Sequence, residues 1–352
     1  MSDAVNDPAA EQPHRRRKRY RGTHPRSFGE KYKELNPAKY AADVAHVISR
    51  GDTPAGTHRP ICLREVLDIL VPRPGEAAVD ATLGYGGHAR EILKLILPGG
   101  ILYGFDVDSV ELRRTEARLR EEGFGPESFV AVHSNFASLR QILSNADRPC
   151  VDLILADLGV SSMQIDNPER GFAFKNDGPL DMRMDQGKGE TVAQLLVRLT
   201  EAQIAAILAE NADEPDAPLI AHALAKKGRG MATTRELVRA IRNSLSGRGL
   251  GDKDVAKAVR RSFQALRIAV NGELPSLEAF LADLPHCLKS GGRAVVLTFH
   301  PGEDDRVVRA FEKGRLEGFY SRIQEGEIRP GSEEQYSNPR SKSVRLRWAV
   351  RA

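Results

Sequence analysis

From Glu76 onward, short apolar runs alternate with segments whose apolar positions recur at helical spacing. The runs cover 77–83, 101–106, 129–133, 151–157 and 293–300, and each is read as a strand. Between the first four lie helical patterns. Residues 87–97 are apolar at Ile92, Leu93 and Ile96, residues 110–122 are charged and amphipathic, and residues 137–145 carry Leu139, Ile142 and Leu143. This alternation predicts a parallel sheet built from right-handed crossovers.

The rhythm breaks after the fourth run. Some 135 residues precede the fifth, far more than one crossover needs. An inserted helical domain explains the gap, with helices over 200–210, 219–226, 234–245 and 255–270, the third having Glu236 near its start to favour the helix dipole. A helix over 277–288 returns the chain to the sheet. Gly291-Gly292 is expected to stop that helix, and segments 321–329 and 344–350 to close the sheet as a hairpin-like pair. Thr53-Pro54-Ala55-Gly56 reads as a linker. The expected organisation is an N-terminal extension (1–57), a first sheet part (58–164), the helical insertion (165–270) and a second sheet part (271–352).

With 352 residues, 41% hydrophobic and 28% charged, the chain has the composition of a globular protein with a sizeable core. No run approaches the roughly 18 apolar residues of a membrane span, and the N-terminus is not apolar, so a cytoplasmic protein without membrane contact is expected. The three cysteines, Cys62, Cys150 and Cys287, show no metal-ligand spacing, and no metal site is expected. Residues 1–57 hold 11 Lys/Arg against 7 Asp/Glu, which accounts for the whole net charge of +4. Arg15, Arg16, Arg17, Lys18, Arg19 and Arg21 surround Tyr20 there. Such a cluster either neutralises phosphates of a nucleic acid or is a solvated tail.

An open parallel sheet binds ligands at the carboxyl ends of its strands, where strand order reverses. The first strand runs into Asp80-Ala81-Thr82-Leu83-Gly84-Tyr85-Gly86-Gly87-His88, a glycine turn that exposes backbone N–H groups at a helix start. Arg90 stands where a dinucleotide site would want a small residue, which favours S-adenosylmethionine over NAD. At the second strand end, Asp106 can accept both ribose hydroxyls, while Asp108 suits a helix N-cap. Phe136, after the third strand, is placed to pack on adenine or simply in the core. The fold class is therefore α/β, a Rossmann-like S-adenosylmethionine-dependent methyltransferase sheet with an inserted helical domain.

The fourth strand adds Asp157-Leu158-Gly159-Val160-Ser161-Ser162, and Gly171-Phe172-Ala173-Phe174-Lys175-Asn176-Asp177-Gly178-Pro179-Leu180-Asp181-Met182-Arg183-Met184-Asp185 follows. Together with His58-Arg59-Pro60-Ile61, Phe263-Gln264-Ala265-Leu266-Arg267-Ile268-Ala269-Val270-Asn271, Thr298-Phe299-His300 and Asn338-Pro339-Arg340-Ser341, this combination closely resembles the ribosomal RNA small-subunit methyltransferase H family, also called MraW. The resemblance runs from His58 to about Ala349. It implies S-adenosylmethionine as cofactor, contacts from Gly86, Gly87, His88, Asp106, Phe136, Asp157 and Gln164, and methylation of the exocyclic N4 of a cytosine in 16S ribosomal RNA, free or in the small ribosomal subunit. Three features depart from the family pattern: the basic arm, Asp254-Val255-Ala256-Lys257 where the family shows His-Pro-Ala, and Pro301-Gly302 where it shows Ser-Leu.

An exocyclic amine is a poor nucleophile because its lone pair is delocalised, so it must be oriented and its protons accepted. Asp157 is the candidate acceptor. Phe172, Phe174, Lys175 and Arg183 could stack on an unstacked base and hold its backbone, or anchor the insertion to the sheet. Lys257, Arg260, Arg261, Gln264 and Arg267 recur at helical spacing as a basic face that either meets phosphates or is solvated. Competing readings are a methyltransferase of another RNA, DNA or protein, and a non-catalytic RNA-binding assembly factor on the same fold. An NAD-linked oxidoreductase fits least.

Overall fold

A computed structural model describes residues 60–227 and 230–352; the basic cluster Arg15 to Arg21 lies outside them. After α1 (Leu63–Leu70), the chain lays down β1 (Ala77–Asp80), α2 (Gly87–Ile96), β2 (Ile101–Asp106), α3 (Ser109–Glu121), β3 (Phe129–His133), α4 (Leu139–Asn145) and β4 (Val151–Asp157). The middle of the chain is helical: α5 (Ser162–Asp166), α6 (Val192–Arg198), α7 (Glu201–Ala212), α8 (Ala217–Lys227), α9 (Thr234–Ser244), α10 (Asp252–Asn271) and α11 (Glu273–Cys287). Then follow β5 (Leu288–Thr298), α12 (Pro301–Leu316), β6 (Tyr320–Ile323), α13 (Ser332–Ser337) and β7 (Arg345–Arg351).

The seven strands form one sheet in the order β3-β2-β1-β4-β5-β7-β6. β1 to β5 are parallel, while β7 runs antiparallel between β5 and β6. Strand order reverses between β1 and β4, which puts the ends of β1, β2 and β4 around one crevice. Parallel strands covered on both faces must be apolar on both. One face packs Val79, Phe105 and Ile154 against Phe280 and Val307; the other packs Leu102, Leu153 and Val295 against Val66, Ile92 and Ile96.

The helices between β4 and α11 build a separate apolar core from Leu196, Leu208, Ile220, Leu237, Phe263 and Leu266. Their starts are set locally. Thr191 with Gln194, Thr200 with Gln203 and Thr233 with Glu236 each form a capping box, satisfying N–H groups that a first turn leaves unpaired. The loop between Gly171 and Asp185 joins this layer through Leu180 N–H to Ala232 O (2.8 Å) and Thr234 Oγ1 to Asn176 O (3.0 Å).

That loop is tied to the sheet by a buried ion pair. Asp108 caps α3, its Oδ1 accepting from the N–H groups of Val110 and Glu111. Its Oδ2 accepts from Arg170 Nη1 at 2.6 Å and from Gln164 Nε2 at 3.2 Å. Arg170 Nη2 reaches on to the carbonyls of Arg183 (3.1 Å) and Met184 (2.7 Å). Burial alone would raise Asp108, yet the Arg170 guanidinium holds its carboxyl below the usual range.

Three expectations need correction. Gly291-Gly292 lie inside β5, which starts at Leu288, and do not stop a helix; the pairing of β4 with β5 shifts register between Val151 and Leu153, and the glycines sit at that irregularity. The strand at 77–83 ends at Asp80 because the following residues turn. Residues 301–316, given no element in the sequence, form a four-turn helix with Pro301 at its first position. No helix among the described residues is long and apolar enough to cross a membrane.

Removing one partner of a buried pair leaves the other charged and unpaired. Arg170→Ala is therefore expected to lower unfolding stability by about 3–5 kcal/mol, measured by urea denaturation. A loss under about 1 kcal/mol would mean that water already solvates the pair.

Candidate active site

The site is built at the carboxyl ends of β1, β2, β4 and β5. After β1 the backbone turns sharply, with Gly84 at φ +49° and Gly86 at φ +77°. A Cβ on Gly86 would lie 2.7 Å from Thr115 Cγ2, and one on Gly87 would lie 2.6 Å from Pro60 Cγ. Both glycines are thus required by the protein's own packing as well as by the turn. Thr82 Oγ1 accepts the Asp157 N–H at 2.6 Å, which locks the β1 turn to the end of β4.

Asp106 accepts the N–H groups of Gly84 (2.9 Å) and Asp108 (2.8 Å), one on each carboxylate oxygen. Each oxygen keeps a lone pair for a ligand. His88 is buried; its Nε2 lies 3.0 Å from Ile61 O, and its Nδ1 faces Asp157 Oδ2 at 3.8 Å. Gln164 is buried, with Oε1 accepting the Ser161 N–H and Nε2 turned to Asp108. Phe136 packs edge-on against Phe280 at 5.3 Å.

Four acidic groups crowd this edge. Burial raises Asp157 to about 8, helped by the charges of Asp80 and Glu303. Burial, with Asp106 nearby, raises Asp80 to about 7, and burial raises Asp106 to about 6. Burial lowers His88 to about 4, so its ring is neutral. Asp157 Oδ1 is buried with no hydrogen-bond partner among the described residues.

At the end of β5, His300 Nε2 lies 3.2 Å from Glu303 Oε1, and Glu303 Oε2 accepts the Phe299 N–H at 2.7 Å. Against the opposing effect of burial, the His300 ring holds the Glu303 carboxyl below its usual range. Asp80, His300 and Glu303 are site groups that the strand-end reading did not name. The signal was the three-residue spacing of His300 and Glu303 across Pro301, a helix-start pattern.

The residues expected on the substrate side are dispersed. Phe172 is buried in the core of the helical layer and the part-buried Phe174 packs edge-on against Phe263 at 5.8 Å. Lys175 is exposed. Arg183 is held by Asp181 through Nε (2.7 Å) and Nη2 (3.0 Å). Most basic side chains of α10 have acidic partners: Arg267 grips Glu273 through two bonds of 2.8 and 2.7 Å, Arg261 pairs with Glu214 at 2.8 Å, and Lys257 pairs on the surface with Asp254 at 3.0 Å. Arg260 remains exposed, with no carboxylate partner among the described residues.

Residues 55–352 match the model of the MraW methylase family. The chain belongs to that family. The relatives that this methylase resembles include ribosomal RNA small subunit methyltransferase H 2 of Alkaliphilus metalliredigens, 46% identical over 97% of the chain and 99% of the relative. Another is ribosomal RNA small subunit methyltransferase H 1 of Lachnoclostridium phytofermentans, 45% identical over 96% of the chain and 93% of the relative. Because 97% coverage takes in part of the N-terminal arm, the arm is outside the family model but not peculiar to this methylase. S-adenosylmethionine is its methyl donor. The crevice suits that ligand on its own chemistry, since buried carboxylates with raised proton affinity and an unpartnered acceptor on Asp157 match a molecule carrying sulfonium and ammonium charges.

A carboxyl with a raised folded-state pKa binds its proton more tightly folded than unfolded, so it subtracts stability as pH rises from about 4 to about 8. Asp157→Asn removes this term. The variant is expected to gain stability relative to wild type between pH 5 and pH 8, measured by thermal unfolding without cofactor. In the same window, calorimetry should show S-adenosylmethionine binding wild type more tightly as pH rises, with a shallower rise for S-adenosylhomocysteine, which lacks the sulfonium charge. Equal slopes would place the sulfonium away from Asp157.

Proposed function

We propose that this methylase transfers a methyl group to the exocyclic N4 of a cytidine in 16S ribosomal RNA, in the cytoplasm, and that Asp157 accepts the amine. The relatives' names support the ribosomal RNA of the small subunit. The observation that carries the chemistry is the buried, unpartnered Asp157 Oδ1 at the end of β4. Bound S-adenosylmethionine supplies an electrophilic methyl on sulfur. Asp106 holds the ribose hydroxyls, the β1 turn from Gly86 to His88 and the side chains of Phe136 and Gln164 shape the rest of the cofactor pocket, and Lys175 and Arg260 face the RNA. Asp157 accepts a hydrogen bond from the amine, which turns the nitrogen lone pair out of conjugation, and takes the proton as the nitrogen–carbon bond forms. The helical layer over 165–270 is the substrate-recognition part.

Methylation at a ring carbon would need a thiolate that adds to the base. Cys62 is fully buried, and burial together with Glu334 and Glu65 pushes its thiol far above the usual range. Cys150 and Cys287 precede β4 and β5, at the opposite edge of the sheet from the crevice. Direct transfer to an amine fits these positions.

The test is methylation of small ribosomal subunits and of naked 16S RNA with labelled cofactor, followed by nucleoside chromatography. Label is expected in N4-methylcytidine. Label in 5-methylcytidine or a ribose methyl would sink the mechanism, and label in protein would sink the substrate class. Deleting residues 1–40 should weaken RNA binding and flatten its salt dependence with cofactor affinity unchanged; an unaltered slope would assign the arm no phosphate contact.

A further inference from the structure

Two side chains at the crevice carry buried polar atoms with no hydrogen-bond partner among the described residues: Asp157 Oδ1 and His300 Nε2. They stand on neighbouring strands. Asp157 pairs in register with Leu297, and His300 follows three residues later on the same strand's extension. Adjacent strands lie about 4.8 Å apart. The chain after Asp157 crosses back towards β5, where a Cβ on Gly159 would lie 3.9 Å from Phe299 Cδ2. Glu303 is near enough for its charge to act on Asp157.

The two atoms differ in character. Asp157 Oδ1 is an acceptor when ionised. His300 Nε2 lies 3.2 Å from Glu303 Oε1 without a hydrogen bond between them. In the tautomer with its proton on Nε2, the ring is a donor that Glu303 does not take. Glu303 is itself fixed by the Phe299 N–H and has little freedom to swing. His300 is 9% exposed at its side chain, so an unmet donor there is costly and has to find a partner on the ligand.

An aminopyrimidine presents a donor, the exocyclic amine, beside an acceptor, the ring nitrogen N3. The geometry points to His300 as the residue that reads this acceptor: its N–H meets N3 of the target cytosine while Asp157 takes the amine. This assignment rests on the cytidine reading above. Uracil is then expected to be refused, since its N3 carries a proton and its O4 cannot donate to Asp157.

The test uses the full-length protein with S-adenosylhomocysteine bound, titrated with cytidine, 3-deazacytidine and uridine by ligand-detected NMR. 3-Deazacytidine keeps the amine and lacks the N3 acceptor. Wild type is expected to bind cytidine roughly tenfold more tightly than 3-deazacytidine, one buried hydrogen bond's worth. His300→Phe, which keeps ring volume, should bind the two alike, and His300→Gln, which restores a donor, should recover part of the preference. S-adenosylhomocysteine affinity, unchanged in both variants, controls for folding. A preference that survives His300→Phe overturns the proposal, as does wild type that binds both nucleosides equally or neither. If the label in ribosomal RNA still appears in N4-methylcytidine, only the role of His300 has failed; label elsewhere removes the cytidine reading itself.

Discussion

The ion pair of Asp108 and Arg170 is the joint on which the molecule turns. Asp108 is already committed to the first turn of α3, so the position of its carboxylate is set by the sheet. Arg170 spends its guanidinium on that carboxylate and on two carbonyls of the 182–184 segment. Asn271, at the end of α10, fixes the same segment from the other side, donating to Met182 O and accepting from Met184 N. The loop between Gly171 and Asp185 is therefore held between the sheet edge and the helical layer by buried polar contacts. Such contacts are directional, and a shifted loop would leave charges and carbonyls unpaired.

Around this joint the crevice is organised by charge held away from water. Asp80, Asp106 and Asp157 would each be ordinary ionised acids in solvent. At the strand ends, burial makes their ionised forms expensive, and their mutual repulsion adds to the cost. A cationic ligand relieves both terms. The protein thus stores an electrostatic imbalance that its cofactor corrects, and neutral His88 beside Asp157 does nothing to cancel it.

Much of this was legible in the chain. Strands β2, β3 and β4 have the bounds that their apolar runs suggest, because β2 and β4 are buried along most of their length, while edge strand β3 is fixed by its pairing with β2. Asp108 was readable as an N-cap and Asp106 as a strand-end acid. What was not legible depended on partners distant in sequence or hidden by punctuation. Helical spacing puts Arg267 on a basic face, but Glu273 lies beyond the turn at Gly272, and only the fold brings it back to Arg267. Pro301-Gly302 reads as a break, although proline at a first helical position starts α12 and so sets His300 beside Glu303. Phe172 and Phe174 have the composition of a stacking loop, and their packing against the helical layer has no signal in the sequence.

Adjacent strands β4 and β5 are separated in sequence by the whole helical excursion, residues 158–287. Closing so long a loop costs entropy that grows only with the logarithm of its length, but contacts between its ends come slowly while the loop is unfolded. Within that excursion, the helices from α6 to α10 share an apolar core and their own capping boxes, while α11 packs on the sheet. A slow step at the β4–β5 seam would be sped or delayed by changes in the helical layer, tens of residues from any strand.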